Sequence, residues 1–289
     1  MAYENFIPQI WNEAIERELE GAYVFVEDCN RKYEGDVKEM GDSVRILGTG
    51  RPTIRTISRY DNIDTDKTSN AGKDIADPEE VQGKDDVMYI NRISYFNYMI
   101  GDVDRAQSVN GVMDALSKET SEALADEVDT YVAGFAVDAE VEKVNSSAVK
   151  VTKDNVLDLL DTALEKLYEN NVKPSTYIVA TVSPRFYTLF RRAYTVKSTD
   201  NDEYLKNGRV ARYNNLVIKM SNNVKKTDDG ATDNIMVRTQ RAIAFAQPLT
   251  HTEAYRPEKK FADAVKGFIL YDAKVVRPDE IVNLNVTYA

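Results

Sequence analysis

At 289 residues the chain is long enough to bury a sizeable core, and 43% apolar with 29% charged residues is the composition of a globular protein. A formal net charge of −11 removes the general electrostatic reason to bind nucleic acid, whose phosphates need clustered Lys and Arg. One cysteine excludes an intrachain disulfide, and no run approaches the ~20 apolar residues of a membrane-spanning helix.

Phe6-Ile7-Pro8-Gln9-Ile10-Trp11 leads into an amphipathic segment from Asn12 to Leu19, which Gly21 is placed to end. This reads as an apolar arm that carries the only Trp and can dock on its own subunit or another. The segment lacks the basic and then apolar stretches of a secretory signal, so folding in the cytosol is expected. Cys29, close to Val24-Phe25-Val26, is expected as a small buried side chain. From Asp42 the pattern becomes β: Ser43 to Leu47, a turn at Gly48-Thr49-Gly50, then Thr53 to Ile57, which together read as a hairpin. Ser58 to Asp85 is polar and rich in acids, with little to bury. Unsupported loops beyond ~12–15 residues are uncommon in compact domains unless they serve a function, so this one is expected either to be disordered or to lie on a neighbour.

A strand-like run from Asp86 to Ile100 passes through Gly101-Asp102-Val103-Asp104 into a helical pattern ending near Asp138. Ala106, Val109, Val112, Leu116, Leu124, Val128 and Phe135 are among the apolar residues that keep a 3.6-residue period over about thirty residues, ~50 Å of helix. Such a helix is a spine, and Asp102 and Asp104 at its start complement the positive end of its dipole.

After the linker Asn145-Ser146-Ser147, Thr152 is expected to cap a helix through Val156, Leu160, Leu164 and Leu167 that closes at Glu169-Asn170-Asn171. Tyr177 to Ala180 follows as a buried strand, and Pro184 opens a second helix through Phe186, Leu189 and Phe190. A polar loop and a strand complete this α+β module by Met220. Lys225 to Asn234 reads as an exposed turn. Ile235 to Ala246, Ala264 to Val276 and Ile281 to Val286 are β-like, with breaks marked by Pro248, Pro257 and Pro278.

Catalytic patterns are missing. His251 is the only histidine, so a Ser-His-Asp hydrolase would depend on it, and a lone His in a Thr-His-Thr context reads as structural. There is no Cys/His cluster, Walker-type loop or Gly-x-Gly-x-x-Gly fingerprint, and no metal or cofactor is expected. Acidic pairs such as Asp61 with Asp64, or Asp102 with Asp104, carry no information in a chain with 48 acidic residues. Arg185, Arg191, Arg192 and Lys197 form a small basic group that reads as a solvated helix face.

Four segments together resemble major capsid proteins of tailed bacteriophages with the Hong Kong 97-type fold. They are Asn5-Phe6-Ile7-Pro8-Gln9-Ile10-Trp11; Asn30-Arg31-Lys32-Tyr33-Glu34-Gly35-Asp36 followed by Gly41-Asp42-Ser43-Val44-Arg45-Ile46; Tyr95-Phe96-Asn97-Tyr98 running to Gly101-Asp102-Val103-Asp104-Arg105-Ala106-Gln107; and a late set. The late set comprises Asn207-Gly208-Arg209-Val210, Ser221-Asn222-Asn223, Phe261-Ala262-Asp263-Ala264-Val265-Lys266-Gly267 and Ala273-Lys274-Val275-Val276-Arg277-Pro278. Their order covers nearly the whole chain. The resemblance implies an α+β fold with an N-terminal arm (1–39), an extended β-hairpin loop (40–100), a peripheral domain built on the spine helix (101–150 and 240–275) and an axial domain (151–239 and 276–289).

It further implies a non-enzymatic subunit that self-assembles, as hexamers and pentamers, into the icosahedral shell of a virion. The shell would be built in the host bacterial cytoplasm and enclose double-stranded DNA without reading its sequence. A portal protein is an implied partner, and because the arm motif starts within a few residues of Met1 a separate scaffolding protein is expected. Intersubunit contacts are expected from Phe6, Ile7 and Trp11 of the arm and from Arg59, Asp61, Asp64, Asp66, Glu79 and Glu80 of the loop. An encapsulin-type compartment shares the implied fold, and a carboxylate-dependent hydrolase is the alternative from another class. If the arm is an assembly element, deleting residues 2–11 removes apolar side chains worth ~1.5–3 kcal/mol each when buried. The truncated subunit should then fold, by circular dichroism, yet assemble poorly by light scattering; assembly at the wild-type rate would refute this role.

Overall fold

The computed structural model describes residues 18–32, 43–48, 54, 84–101, 112–196, 211–227, 229–259 and 261–288. A helical turn at residues 18–22 runs through Gly21 to Ala22 and leads into a bent, irregular segment ending in a 3₁₀ turn, Val26–Asp28. Strand β1 (Ser43–Gly48) pairs antiparallel with β2 (Lys84–Tyr89), from Ser43 opposite Tyr89 to Gly48 opposite Lys84. The expected hairpin partner at Thr53 to Ile57 lies outside the described residues except for Ile54, which is exposed.

The run expected as one strand from Asp86 to Ile100 is two strands in different sheets. After β2 the chain passes through Ile90 and Asn91 into β3 (Arg92–Gly101). Asp272 holds the break, accepting from the Asn91 amide at 3.3 Å and the Tyr131 hydroxyl at 2.8 Å. Ile90 is buried, so the apolar pattern continues across the break and hides it.

Helix α1 (Val112–Gly134) is the described part of the spine, about 35 Å long, and tightens into a 3₁₀ turn through Val137. The residues that join it to β3, Asp102 and Asp104 among them, lie outside the described residues. Leu124, Val128 and Val132 follow one another at i, i+4 and face the core. Two short strands, β4 (Glu142–Lys143) and β5 (Val149–Lys150), precede α2 (Val156–Glu169).

Thr152 does not cap α2. The helix begins at Val156, and Asn155 uses its side chain to shape the preceding turn, accepting from the Thr152 amide at 2.7 Å and donating to the Lys150 carbonyl at 2.9 Å. Strand β6 (Ile178–Val182) is buried throughout. Helix α3 (Pro184–Val196) starts at the proline, as expected, and lies between β6 and β8 in the chain; parallel neighbours need such a crossover. Next come β7 (Ala211–Tyr213), β8 (Leu216–Met220) and β9 (Thr232–Thr239). The turn before β9 is shorter than Lys225 to Asn234, because Asp233 and Asn234 are already buried strand residues.

The β-like run Ile235 to Ala246 also divides. A turn closed by the Ala242 amide on the Thr239 carbonyl separates β9 from β10 (Ile243–Tyr255), and exposed Gln240 and Arg241 form it without Gly or Pro. Pro248 does not end β10 but sits in a register shift between Ala246 and Leu249. β11 (Ala262–Val275), a 3₁₀ turn at Pro278–Glu280 and β12 (Ile281–Thr287) complete the described elements.

Among the described residues three sheets result: β1-β2, a three-stranded β10-β11-β3, and a seven-stranded β4-β12-β9-β6-β8-β7 with β5 also on β12. Each has its own core. Helix α1, residues 19–29 and the three-stranded sheet enclose Phe25, Val128, Phe245 and Tyr271; α2 and α3 with the seven-stranded sheet enclose Leu160, Leu164, Phe186 and Ile218. The β1-β2 ribbon closes a third core of Val44, Ile46, Met88, Ile90, Ala244, Ala246 and Leu270.

Gly267, in the middle of β11, has no room for a side chain. A Cβ there would stand 2.6 Å from the Phe96 ring and 2.8 Å from the His251 carbonyl oxygen. The Phe96 ring fills the space the glycine leaves, so Gly267→Ala forces overpacking that costs about 1–3 kcal/mol. Urea unfolding should show this loss; an unchanged midpoint would mean the sheet yields more easily than its geometry implies.

Candidate assembly surfaces

None of the contact residues expected from sequence (Phe6, Ile7, Trp11, Arg59, Asp61, Asp64, Asp66, Glu79 and Glu80) falls within the described residues. Of the N-terminal region, what is described is the segment from residue 18 to residue 32. Residues 23–30 thread between α1, the seven-stranded sheet and β10, and several polar groups of this strap are paired with those elements. The amides of Val24, Phe25 and Val26 donate to the Asp129 carboxylate of α1 at 2.8, 3.1 and 3.1 Å. Arg238 of β9, fully buried, donates to the carbonyls of Asp28 and Phe25 at 2.6 and 2.5 Å. Lys219 of β8 reaches Glu27 and Asp28, both at 2.7 Å. Asn30 bonds β10 in both directions, its amide to the Ile243 carbonyl and its carbonyl to the Phe245 amide.

Burial pushes the Asp129 carboxyl up to about 6, against the lowering pull of the three amides and Arg238. Burial also raises the Cys29 thiol although Arg238 opposes it, and Cys29 is the small buried side chain expected from sequence. At Lys219 burial acts to lower the ammonium, and hydrogen bonds to Asp28 and Glu27 overcome it and leave it raised. The charges were visible in the sequence as an Arg within apolar Ile235-Met236-Val237 and an Asp beside Val128; nothing local said that they meet across a third segment.

The other residues singled out from sequence are dispersed. His251 sits on β10 with its ring 5.7 Å from Phe268. Arg191 and Arg192 are exposed on α3, and Arg185 lies 5.8 Å over the Tyr288 ring. Among the described residues no three His, Cys, Asp or Glu side chains converge as metal ligands, and no helix is long and apolar enough to cross a membrane. The surface instead offers apolar side chains on a sheet: Ile93, Tyr95 and Met99 of β3 are 45%, 78% and 49% exposed.

No protein-family model and no curated protein sequence matches the chain. Solved structures do. A chain from Mycobacterium phage Che8 superposes with a TM-score of 0.71 at 24% identity over 90% of both chains. A chain of the capsid of cyanophage P-SCSP1u gives a TM-score of 0.68 at 18% identity over 93% of this chain and 88% of that one. The chain has the Hong Kong 97-type capsid fold. A virus-like particle from Pyrococcus furiosus shares it at a TM-score of 0.59 and 11% identity, over 97% of this chain and 99% of that one.

The strap makes stability depend on pH in a stated direction. Asp129 has a folded value near 6, above the ordinary 3.8, so the native state binds the extra proton between these values. Its contribution is therefore complete below pH ~4 and is lost as pH rises through ~6, by about 3 kcal/mol in all. Relative to wild type, Asp129→Asn should thus look progressively less damaging as pH increases from 4 to 7 in urea unfolding. A constant difference across that range would show that the carboxylate keeps an ordinary value.

Proposed function

We propose that this chain is the major capsid protein of a tailed bacteriophage, a non-enzymatic subunit that self-assembles into the icosahedral head enclosing double-stranded DNA. The carrying observation is agreement in fold over about nine-tenths of both chains with a phage chain, together with a capsid chain nearly as similar. In this reading residues 1–39 are the arm, 40–100 the extended loop, 101–150 and 240–275 the peripheral domain, and 151–239 with 276–289 the axial domain. Phe6, Ile7 and Trp11 cover apolar surface of a neighbour, and Arg59, Asp61, Asp64, Asp66, Glu79 and Glu80 place the loop on the adjacent subunit. Many modest contacts of this kind add through multivalency while each remains correctable. A scaffolding protein, a portal protein and assembly in the bacterial cytoplasm belong to the same proposal.

The net charge of −11 suits a container that must not adhere to the packed phosphates inside it. An encapsulin-type compartment is the second reading, and the higher TM-scores of the two phage chains over the archaeal particle favour the first. Negative-stain microscopy of the purified protein, alone and coexpressed with candidate scaffolding genes, should show closed icosahedral shells. A protein that stays a monomer or small oligomer under all these conditions would overturn the shell reading, and shells loaded with an enzyme cargo would move it to the compartment.

A further inference from the structure

The two faces of the seven-stranded sheet differ in kind. Val282, Leu284 and Val286 of β12, with Ile235 and Val237 of β9, point into the core beneath α2 and α3. Strand alternation turns Asn234, Met236, Asn283 and Asn285 to the other face, where Met236 and Ile281 belong to the core built on α1. Asn283 is thus a fully buried amide set where the two large cores meet.

Hydrogen bonds join these side chains in one direction. The Lys225 carbonyl can only accept, and it takes the Asn234 amide at 2.8 Å and Asn234 Nδ2 at 3.1 Å. That contact leaves Asn234 Oδ1 as an acceptor, and Asn283 Nδ2 donates to it at 3.2 Å. Asn283 must then present Oδ1 at the end of the relay. Neither this oxygen nor Oδ1 of Asn285, two residues along the same face, meets a donor among the described residues, and both atoms are buried. The backbone carbonyls beside them are occupied: that of Asn283 accepts from the Val144 amide at 2.8 Å, and that of Asn285 from Asn145 Nδ2 at 2.9 Å.

We infer that Asn283 and Asn285 form a binding site for an ordered water molecule, which donates to both side-chain oxygens and is an internal part of the folded subunit. A buried amide oxygen without a donor is costly, so two side by side on one strand call for a donor that the chain itself does not bring. That donor is small. Residues two apart on a strand face stand about 7 Å apart at their Cα atoms, a gap that the two O–H groups of one water span between inclined side chains. It is also neutral. Arg238 of β9, fully buried, already places a positive charge on this face, and β9 and β12 bring no acid to it. Asp233 lies on the opposite face, where it interacts with Tyr288. The water carries the relay from Lys225 and Asn234 on to Asn285, whose carbonyl holds Asn145, so it fastens two connecting segments to the sheet. The site belongs to the single subunit and stands independently of the shell reading.

A high-resolution density map of the wild-type protein, from crystals or from assembled particles, is the test. A rounded peak about 2.8 Å from both Oδ1 atoms is expected. A dry site, or an Oδ1 reached by a protein donor, would overturn the inference, and so would a peak about 2.4 Å from six or more oxygens, which is a metal ion. Urea unfolding gives a second reading. Asn283→Leu removes the bond to Asn234 in either case, but with the water present it also strips that molecule of a partner, and the unfolding equilibrium constant should rise by about tenfold or more. With a dry Oδ1, loss of an unpaired acceptor offsets the lost bond, so a change below about threefold would count against the water. Should the variant fail to fold, the map decides alone.

Discussion

The buried backbone of residues 23–30 is the constraint on which the arrangement of the two large cores depends. An irregular segment inside a protein carries amides and carbonyls that cost free energy unless paired. Here no neighbouring strand pairs with the first part of the segment, and charged side chains take over that task. Asp129 answers three amides and Arg238 two carbonyls, each from a different element. A buried ion is expensive unless its hydrogen bonds are satisfied, and the strap's own backbone supplies them. Charge and backbone therefore hold one another inside the fold, and α1 cannot shift relative to β8 and β9 without leaving both exposed to an apolar surrounding.

The parts legible in the sequence are those governed by local physics. The spine showed through its 3.6-residue period, α3 through Pro184 at its first position, and the buried strand near Tyr177 to Ala180 through its continuous apolar run. What failed to show was nonlocal. Ile90 and the Gln240-Arg241 turn lack Gly or Pro, so two breaks between sheets looked like uninterrupted strands. Asn155 rather than Thr152 shapes the approach to α2, because a turn before a helix can satisfy its polar groups ahead of the cap. Asp129 and Arg238 are more than a hundred residues apart, and their meeting through residues 24–29 is a property of the assembled fold. Four short segments in the right order carried the family resemblance where periodicity alone would have stopped at an α+β domain.

Conservation of fold at 24% identity and below is understandable from how the cores are built. Volume and pattern decide whether a core closes, and many side-chain sets satisfy both. Sequence can diverge widely while α1, the three-stranded sheet and the helix-covered seven-stranded sheet keep their places. Surface chemistry is held less tightly, and it is there that one capsid-like chain would differ from another in the company it keeps.

The β1-β2 ribbon has a consequence for how such a chain can change over time. Gly48 and Lys84 are already paired across the ribbon, so whatever lies between them leaves and returns at one point. The entropy of closing a loop grows only with the logarithm of its length, and doubling that length costs about 0.6 kcal/mol. Residues 49–83 can therefore lengthen, shorten or accept an inserted peptide at little expense to either large core. The length of this stretch is a quantity that evolution, or an engineer displaying an epitope, can adjust almost independently of the fold that carries it.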